Sequence, residues 1–430
     1  MTRSIRTAAL QLSATPREAF ARAWPLHLAA IEHAAADSDL LVLPEATLPG
    51  YVLGDDRIDD AAIERAIAQL RDAAKRQGTV IVVGVAQRVN EQLRNRALAI
   101  EADGTIAGHA DKLFLWHFDR KWFDAGDTLE PVATSLGRLG ILVCADGRMP
   151  EIASTLVDRG AEMLVMPTAW VTSGRDPEHL ENVQADLLAR VRAYENGVPF
   201  VAANKCGVEL GIVAYCGKSQ IVSARGEVLA IADERNQTSI THTLDIGGSL
   251  PHRGAGRPRE HEVGAPDPAR SIRIAISMDA PDERTALRLA TLDARCVLTP
   301  QGYEPALGSA EMPTVRCSDL EPLDPGYLAG YRRLGYRVAA WDVAHATAWT
   351  QSVARARALE LRIYVIVFDR QADRAYAVDP DGAIVAGTFG DYRMASFSLD
   401  LRRTMETSVA PGTDIGEGLE RVQAAIFGVS

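Results

Sequence analysis

The chain has 430 residues, 47% hydrophobic and 24% charged, with a net charge of −11, proportions of a globular protein large enough for two domains. The acidic balance argues against a nucleic-acid or anionic-membrane binder, which needs a basic face, and no apolar run approaches the ~20 residues of a spanning helix. Five cysteines without a CxxC pair read as reduced thiols, and the opening MTRSIRTAALQLS is too briefly apolar for a signal peptide, so a cytoplasmic location is expected.

From the N-terminus, Ile5–Leu12 reads as a strand, Pro16–Ala36 as a helix and Leu40–Leu43 as a strand. Asp60–Gln77 follows as a helix, then strands Val80–Ala86, Ala97–Ile100 and Leu139–Val143. Next come helix Pro150–Arg159, strand Met163–Met166, helix Glu178–Glu195 and strands Phe200–Ala203 and Gln220–Ser223. This alternation is the α/β signature. The stretch 247–270, GGSLPHRGAGRPREHEVGAPDPAR, has no apolar period and reads as a linker or surface loop. The expected organisation is a catalytic domain over 1–248, a linker over 249–270 and a second α/β domain over 271–430. That second domain repeats text of the first. Leu139–Trp170 aligns with Ile272–Tyr303, placing Cys144 on Ser277, and Ala189–Asn204 aligns with Ala354–Asp369, with an insertion mostly in 304–340.

Three blocks carry chemistry: LLVLPEATLPGY (40–51), ADKLFLWHFDRKWFDAGD (110–127) and LGILVCADGRMPE (139–151). Cys144 ends a strand, and Pro150 and Glu151 then open a helix. A cysteine there is a core residue or a thiolate nucleophile held near amide donors. Glu45 ends a buried strand, where a carboxylate is costly unless paired or functional. Lys112 opens the apolar run KLFLW. Together they supply a base, a cation for an oxyanion and a nucleophile, the requirements of acyl transfer. Nothing points to a metal or organic cofactor: His252 and His261 lack ligand-like companions, and the GAG of 254–256 lacks the rest of a dinucleotide fingerprint.

LPEATLPGY, the lysine of ADKLF and the Cys-x-Asp-x-Arg-x-Pro-Glu of CADGRMPE resemble the nitrilase or carbon–nitrogen hydrolase superfamily. The resemblance continues through GAEMLVMPTAW, ARVRAYENGVPFVAANKCG and GKSQIVSARGEVLA, over about residues 5–245. It implies an αββα sandwich with Cys144 as nucleophile, Glu45 as general base and Lys112 stabilising the tetrahedral intermediate. Many members carry a second glutamate before an aromatic-rich turn. Asp119 stands in that place here, one methylene shorter, and a register one residue later puts Arg120 there.

The motif resembles amidase and carbamoyl-hydrolase versions, so the expected substrate is a small amide or N-carbamoyl compound, with a nitrile or a silent binding protein as alternatives. Arg148 faces a substrate carboxylate or sits in a structural ion pair. Trp116, Trp170 and Tyr194 are candidate pocket walls or ordinary packing, and Glu195 pairs with a neighbouring arginine. Ser277 has no GxSxG-like elbow, so the second domain is expected to be catalytically silent. Read as a single half-repeat, it leaves one sheet face, with Ile274, Ile276, Val297 and Val365, in need of cover. A homodimer or higher oligomer stacking two such faces meets that need, as does docking within the chain.

Overall fold

The strands expected at 40–43, 80–86 and 163–166 are buried along their whole length, which demands cover on both faces. The computed structural model describes residues 3–54, 58–172, 178–247, 271–279, 296–301, 303–305, 314–318, 321–390, 392–410 and 412–427, with a few single positions between. The chain forms two units, Met1–Pro251 with Ala410–Ser430, and His252–Val409.

The first unit begins with β1 (Arg3–Ser13), α1 (Phe20–Ala35), β2 (Leu40–Val42), α2 (Asp60–Gln77), β3 (Val80–Val89), β4 (Gln92–Ile100) and β5 (Ile106–Asp111). It continues through β6 (Val132–Thr134), β7 (Gly137–Ile141), α3 (Pro150–Asp158), β8 (Met163–Pro167), α4 (Ala189–Asn196) and β9 (Phe200–Ala203). The strands β10 (Lys205–Glu209), β11 (Val213–Cys216), β12 (Gln220–Val222), β13 (Val228–Ile231) and β14 (Thr238–Ile246) complete it. One sheet runs β14-β1-β2-β3-β4-β5, with β10 and β11 continuing from the end of β1; the other runs β13-β12-β9-β8-β7-β6. Strands β2 and β3 pack on β8 and β9, while α3 and α4 cover the second sheet. Phe20, Trp24 and Ile31 of α1 and Ile63, Ile67 and Leu70 of α2 seal the first. This is the expected αββα sandwich.

Local chemistry sets the element ends. Asp59 caps α2 by accepting the Ala62 N–H at 2.9 Å, and Gly78 ends it at φ +69°. The helix expected from Glu178 starts later. Asn182 Oδ1 takes the Gln184 N–H at 2.9 Å, a π-helical turn covers Gln184–Leu188, and α4 follows. The hairpin of β10 and β11 was not expected, because KCGVE lacks strand alternation.

The second unit departs from the expected half-repeat. Here β15 (Ser271–Ser277) pairs in parallel with β16 (Cys296–Leu298), which carries β17 (Tyr303–Pro305) on its other side. The other strands are β18 (Thr314–Ser318), β19 (Val338–Val343), β20 (Tyr364–Asp369), β21 (Arg374–Val378), β22 (Ile384–Gly387) and β23 (Met394–Asp400), with helices α5 (Pro325–Arg333) and α6 (Ala348–Leu361). Strand β23 pairs antiparallel with β15, as β14 does with β1, and β18 to β22 repeat the order of β7, β8, β9, β12 and β13. The unit is therefore a shortened two-sheet copy of the first, and β15 corresponds to β1 rather than β7. Ser318 N donates to Glu321 Oε2 as Val143 N does to Asp146 Oδ2. The counterpart of Cys144 is thus Asp319, which lies outside the described residues, and not Ser277, whose hydroxyl donates to Arg393 O at 3.0 Å. Gln301 follows Thr299-Pro300 where Glu45 follows Leu43-Pro44.

Ile274 and Ile276 are buried in one cluster with Ala340, Ile366 and Phe368 of the second sheet. Val297 packs instead with Ala275 and Leu289, and Val365 is likewise buried, so all four residues are covered within the chain and that argument for self-association falls away. Residues from Ala410 onward group with the first unit, not with 271–409 as expected. The expected linker, with His252 and His261, lies outside the described residues.

Candidate active site

Strand ends deliver the reacting groups. Glu45 lies three residues beyond β2, is fully buried, and its N–H donates to Thr168 O at 3.2 Å. Its backbone presses on Gly84, where an added Cβ would fall 2.4 Å from Glu45 Cα. Lys112 follows β5 and is 1% exposed. Its ammonium donates to Glu45 Oε1 at 2.7 Å and to Asp119 Oδ2 at 2.6 Å. Asn95 Nδ2 donates to the same Glu45 oxygen at 2.7 Å. Glu45 Oε2, also buried, has no hydrogen-bond partner among the described residues.

Asp119 sits in a short 3-10 turn, His117–Lys121, and is fully buried. It accepts Trp116 N–H and the Tyr51 hydroxyl, each at 2.9 Å. The inward residue of this turn is therefore Asp119, and Arg120 points outward to Glu417 at 2.9 Å. Burial works against the charge on Lys112, but Asp119 and Glu45 outweigh it and hold the ammonium well above its usual range.

Cys144 opens the 3-10 turn Cys144–Arg148 after β7, with φ +48° and 6% exposure. Such a backbone in a non-glycine residue stores strain, a recurrent feature of functional turns. Burial and the Glu45 charge push the thiol's pKa up, against the pull of Lys112. Burial thus disfavours the thiolate, and attack by this thiol calls for a base. Asp146 ties this turn to the lysine segment by accepting the N–H groups of Val143, Leu113 and Phe114 at 3.0, 3.1 and 2.8 Å. Burial pushes its carboxyl up to about 7.

The Arg148 guanidinium stacks 4.4 Å from the Trp116 ring centre, and its buried Nε has no hydrogen-bond partner among the described residues. Burial lowers its pKa to about 10, with Cys144 raising it. Trp170 is 1% exposed and its backbone N–H donates to Asn204 Oδ1 at 2.7 Å, with no hydrogen bond to the four reacting groups among the described residues. Tyr194 is half-buried. Glu195 pairs with Arg192, both fully buried, and Arg192 Nε donates to Gly147 O at 3.0 Å. This pair supports the nucleophile turn from below.

Asn95, Tyr51 and Asp146 carry roles that sequence reasoning did not assign. Asn95 had a signal, a polar residue in phase with buried Leu93 and Ala97 on β4. The C-terminal segment had none. Thr413 accepts the His117 N–H at 2.6 Å, and the last helix, Ile415–Phe427, lays Gly418 against the Phe114 ring.

A family model described as carbon–nitrogen hydrolase matches residues 6–249. The chain is 34% identical over 252 residues to a Pseudomonas protegens protein named "Hydrolase in pqqF 5'region", covering 56% of this chain and 84% of that one. It is 30% identical over 195 residues to the N-carbamoylputrescine amidase of Arabidopsis thaliana, covering 42% of this chain and 64% of the relative. A solved structure of a variant Nesterenkonia AN1 amidase from the nitrilase superfamily superposes with a TM-score of 0.50 at 25% identity, covering 56% of this chain and 90% of that one.

Proposed function

The chain belongs to the carbon–nitrogen hydrolase family, and from that premise we propose that it cleaves a small amide or N-carbamoyl compound through a thioester on Cys144. Its chemistry is amide C–N hydrolysis outside peptide bonds. The observation that carries the finer reading is the buried cluster of Glu45, Lys112 and Asp119, with one Glu45 oxygen left unpartnered among the described residues and the Glu45 charge acting on the Cys144 thiol.

In this reading Glu45 takes the thiol proton as Cys144 Sγ attacks the carbonyl carbon. Lys112 and the backbone N–H that follows Cys144 take up the oxyanion. On collapse the C–N bond breaks and the proton on Glu45 passes to the leaving nitrogen. Water then adds to the thioester with Glu45 again as base, and as the C–S bond breaks the proton on Glu45 returns to the Cys144 sulfur and the acid is released. Asp119 keeps Lys112 charged and aimed, itself held by Tyr51. Arg148 is a cation without a carboxylate partner among the described residues, and it favours substrates with an anionic group near the scissile bond.

Ammonia release from a panel of linear amides, N-carbamoyl amines and nitriles tests this. Cys144→Ala and Glu45→Gln should each lose at least ~10³-fold on the best substrate. Activity within tenfold of wild type in either variant would sink the assignment.

A further inference from the structure

Outside the cluster of Glu45, Lys112, Asp119 and Cys144, the first unit buries a second ammonium. Lys205 is 4% exposed, and Glu209, one helix-turn's worth of residues along the same strand, is fully buried. Their charged atoms are 3.7 Å apart. A buried lysine–glutamate pair is not an efficient way to stabilise a fold, since apolar residues of similar volume serve as well or better. Its placement offers another reason. Lys205 Nζ donates to Ala46 O at 3.1 Å. Ala46 directly follows Glu45 and is held at φ +42°, a conformation that costs a non-glycine residue and persists only where its surroundings enforce it.

Glu209 completes the grip. Its Oε1 accepts the Val52 N–H at 2.8 Å and its Oε2 accepts the Tyr215 hydroxyl at 2.7 Å. The pair therefore holds both ends of the segment 46–52, which runs from the base to Tyr51, the residue bonded to Asp119. The Tyr51 and Tyr215 rings flank the ammonium at 5.9 and 5.6 Å, and Glu45 is close enough for its charge to act on Lys205.

We propose that Lys205, backed by Glu209, is a positioning residue that holds the base Glu45 in its productive geometry by pinning the Ala46 carbonyl. The proposal rests on the hydrolase reading above for Glu45 as base. Its test uses the full chain with Lys205→Met, which keeps the volume and removes the charge, Lys205→Gln, which keeps an N–H donor, and Lys205→Arg, which keeps the charge. Two readouts are taken: steady-state hydrolysis of the best amide, and the rate at which iodoacetamide alkylates Cys144, followed by mass mapping.

Lys205→Met should lower kcat at least 30-fold with KM within about threefold of wild type, and should slow alkylation of Cys144 at least fivefold. Lys205→Arg should recover at least a third of the lost activity on a logarithmic scale. A folded Lys205→Met or Lys205→Gln protein with wild-type kcat and alkylation rate overturns the proposal. So does a rise in KM at unchanged kcat, which would make the residue a substrate contact. If neither neutral variant can be recovered folded, the residue serves the fold and the proposal fails. A wild-type chain that is alkylated but hydrolyses nothing would sink the hydrolase reading, while the alkylation comparison would still decide the role of Lys205.

Discussion

Replacing Asp119 by asparagine isolates the second carboxylate on the Lys112 ammonium. The Asp119 carboxylate receives three donors: Lys112 Nζ at 2.6 Å, Trp116 N–H and the Tyr51 hydroxyl, each at 2.9 Å. An asparagine oxygen in the place of Oδ2 still accepts from Lys112 and Trp116, and its NH₂ meets the Tyr51 hydroxyl, which can turn to accept. What is lost is the negative charge facing Lys112, in a hydrogen bond between charged partners worth about 1.5–3 kcal/mol. If most of it, ~2–3 kcal/mol, is spent on aiming Lys112 in the transition state, kcat/KM falls ~30- to 150-fold. Glu45 still accepts from the Lys112 ammonium in the variant, so a buried partner remains and the fold should be retained. The assay is kcat/KM by ammonia release beside a thermal melt of the same preparation. A folded Asp119→Asn protein within threefold of wild type would refute the argument.

Three further outcomes follow from the geometry. Gly84→Ala should lower the melting temperature and cost at least tenfold in kcat, because its Cβ would meet the Glu45 backbone at 2.4 Å; a melt and activity matching wild type would count against that close approach. Asp146 titrates near 7 in the fold through burial, above its ordinary value of 3.8, so between about pH 4 and 7 the native chain holds a proton that the unfolded chain has released. Stability from this group is complete below pH 4 and is lost as pH rises through 7, by up to ~1.4 kcal/mol per pH unit; melting Asp146→Asn across that range should show a flatter profile, and an unchanged slope would reject the account. Ser277→Ala should leave ammonia release unchanged, since that hydroxyl bonds the backbone of Arg393 in the second unit; a large loss would show that this unit takes part in the chemistry.

The layered α/β architecture of the first unit was legible because its signals are local. Apolar runs of strand length and amphipathic runs of helix length recur within windows of a few residues, and the ends of α2 are marked by Asp59 and Gly78. The same locality misled where the pattern was ambiguous. Residues 272–303 carry the strand–helix–strand text shared by both halves of the sandwich, and text alone aligned them with the half that holds Cys144. Hydrogen bonding to β23 assigns them to the other half. The late start of the helix before α4 had a similar cause, because apolar periodicity cannot see the Asn182 cap.

By itself the sequence determined which chemical groups are present and where on each element they fall: a glutamate beyond β2, a lysine beyond β5 and a cysteine beyond β7. It could do so because the end of a strand and the identity of the next residue are properties of a short window. Tertiary structure alone decided that Asp119 rather than Arg120 turns inward, that Asn95 and Tyr51 belong to the cluster, and that Lys205 reaches the carbonyl next to the base. It also decided that the last helix returns to the loop carrying Asp119. Those outcomes depend on contacts between residues far apart in the chain, and periodicity marks the buried face of an element without naming what packs against it.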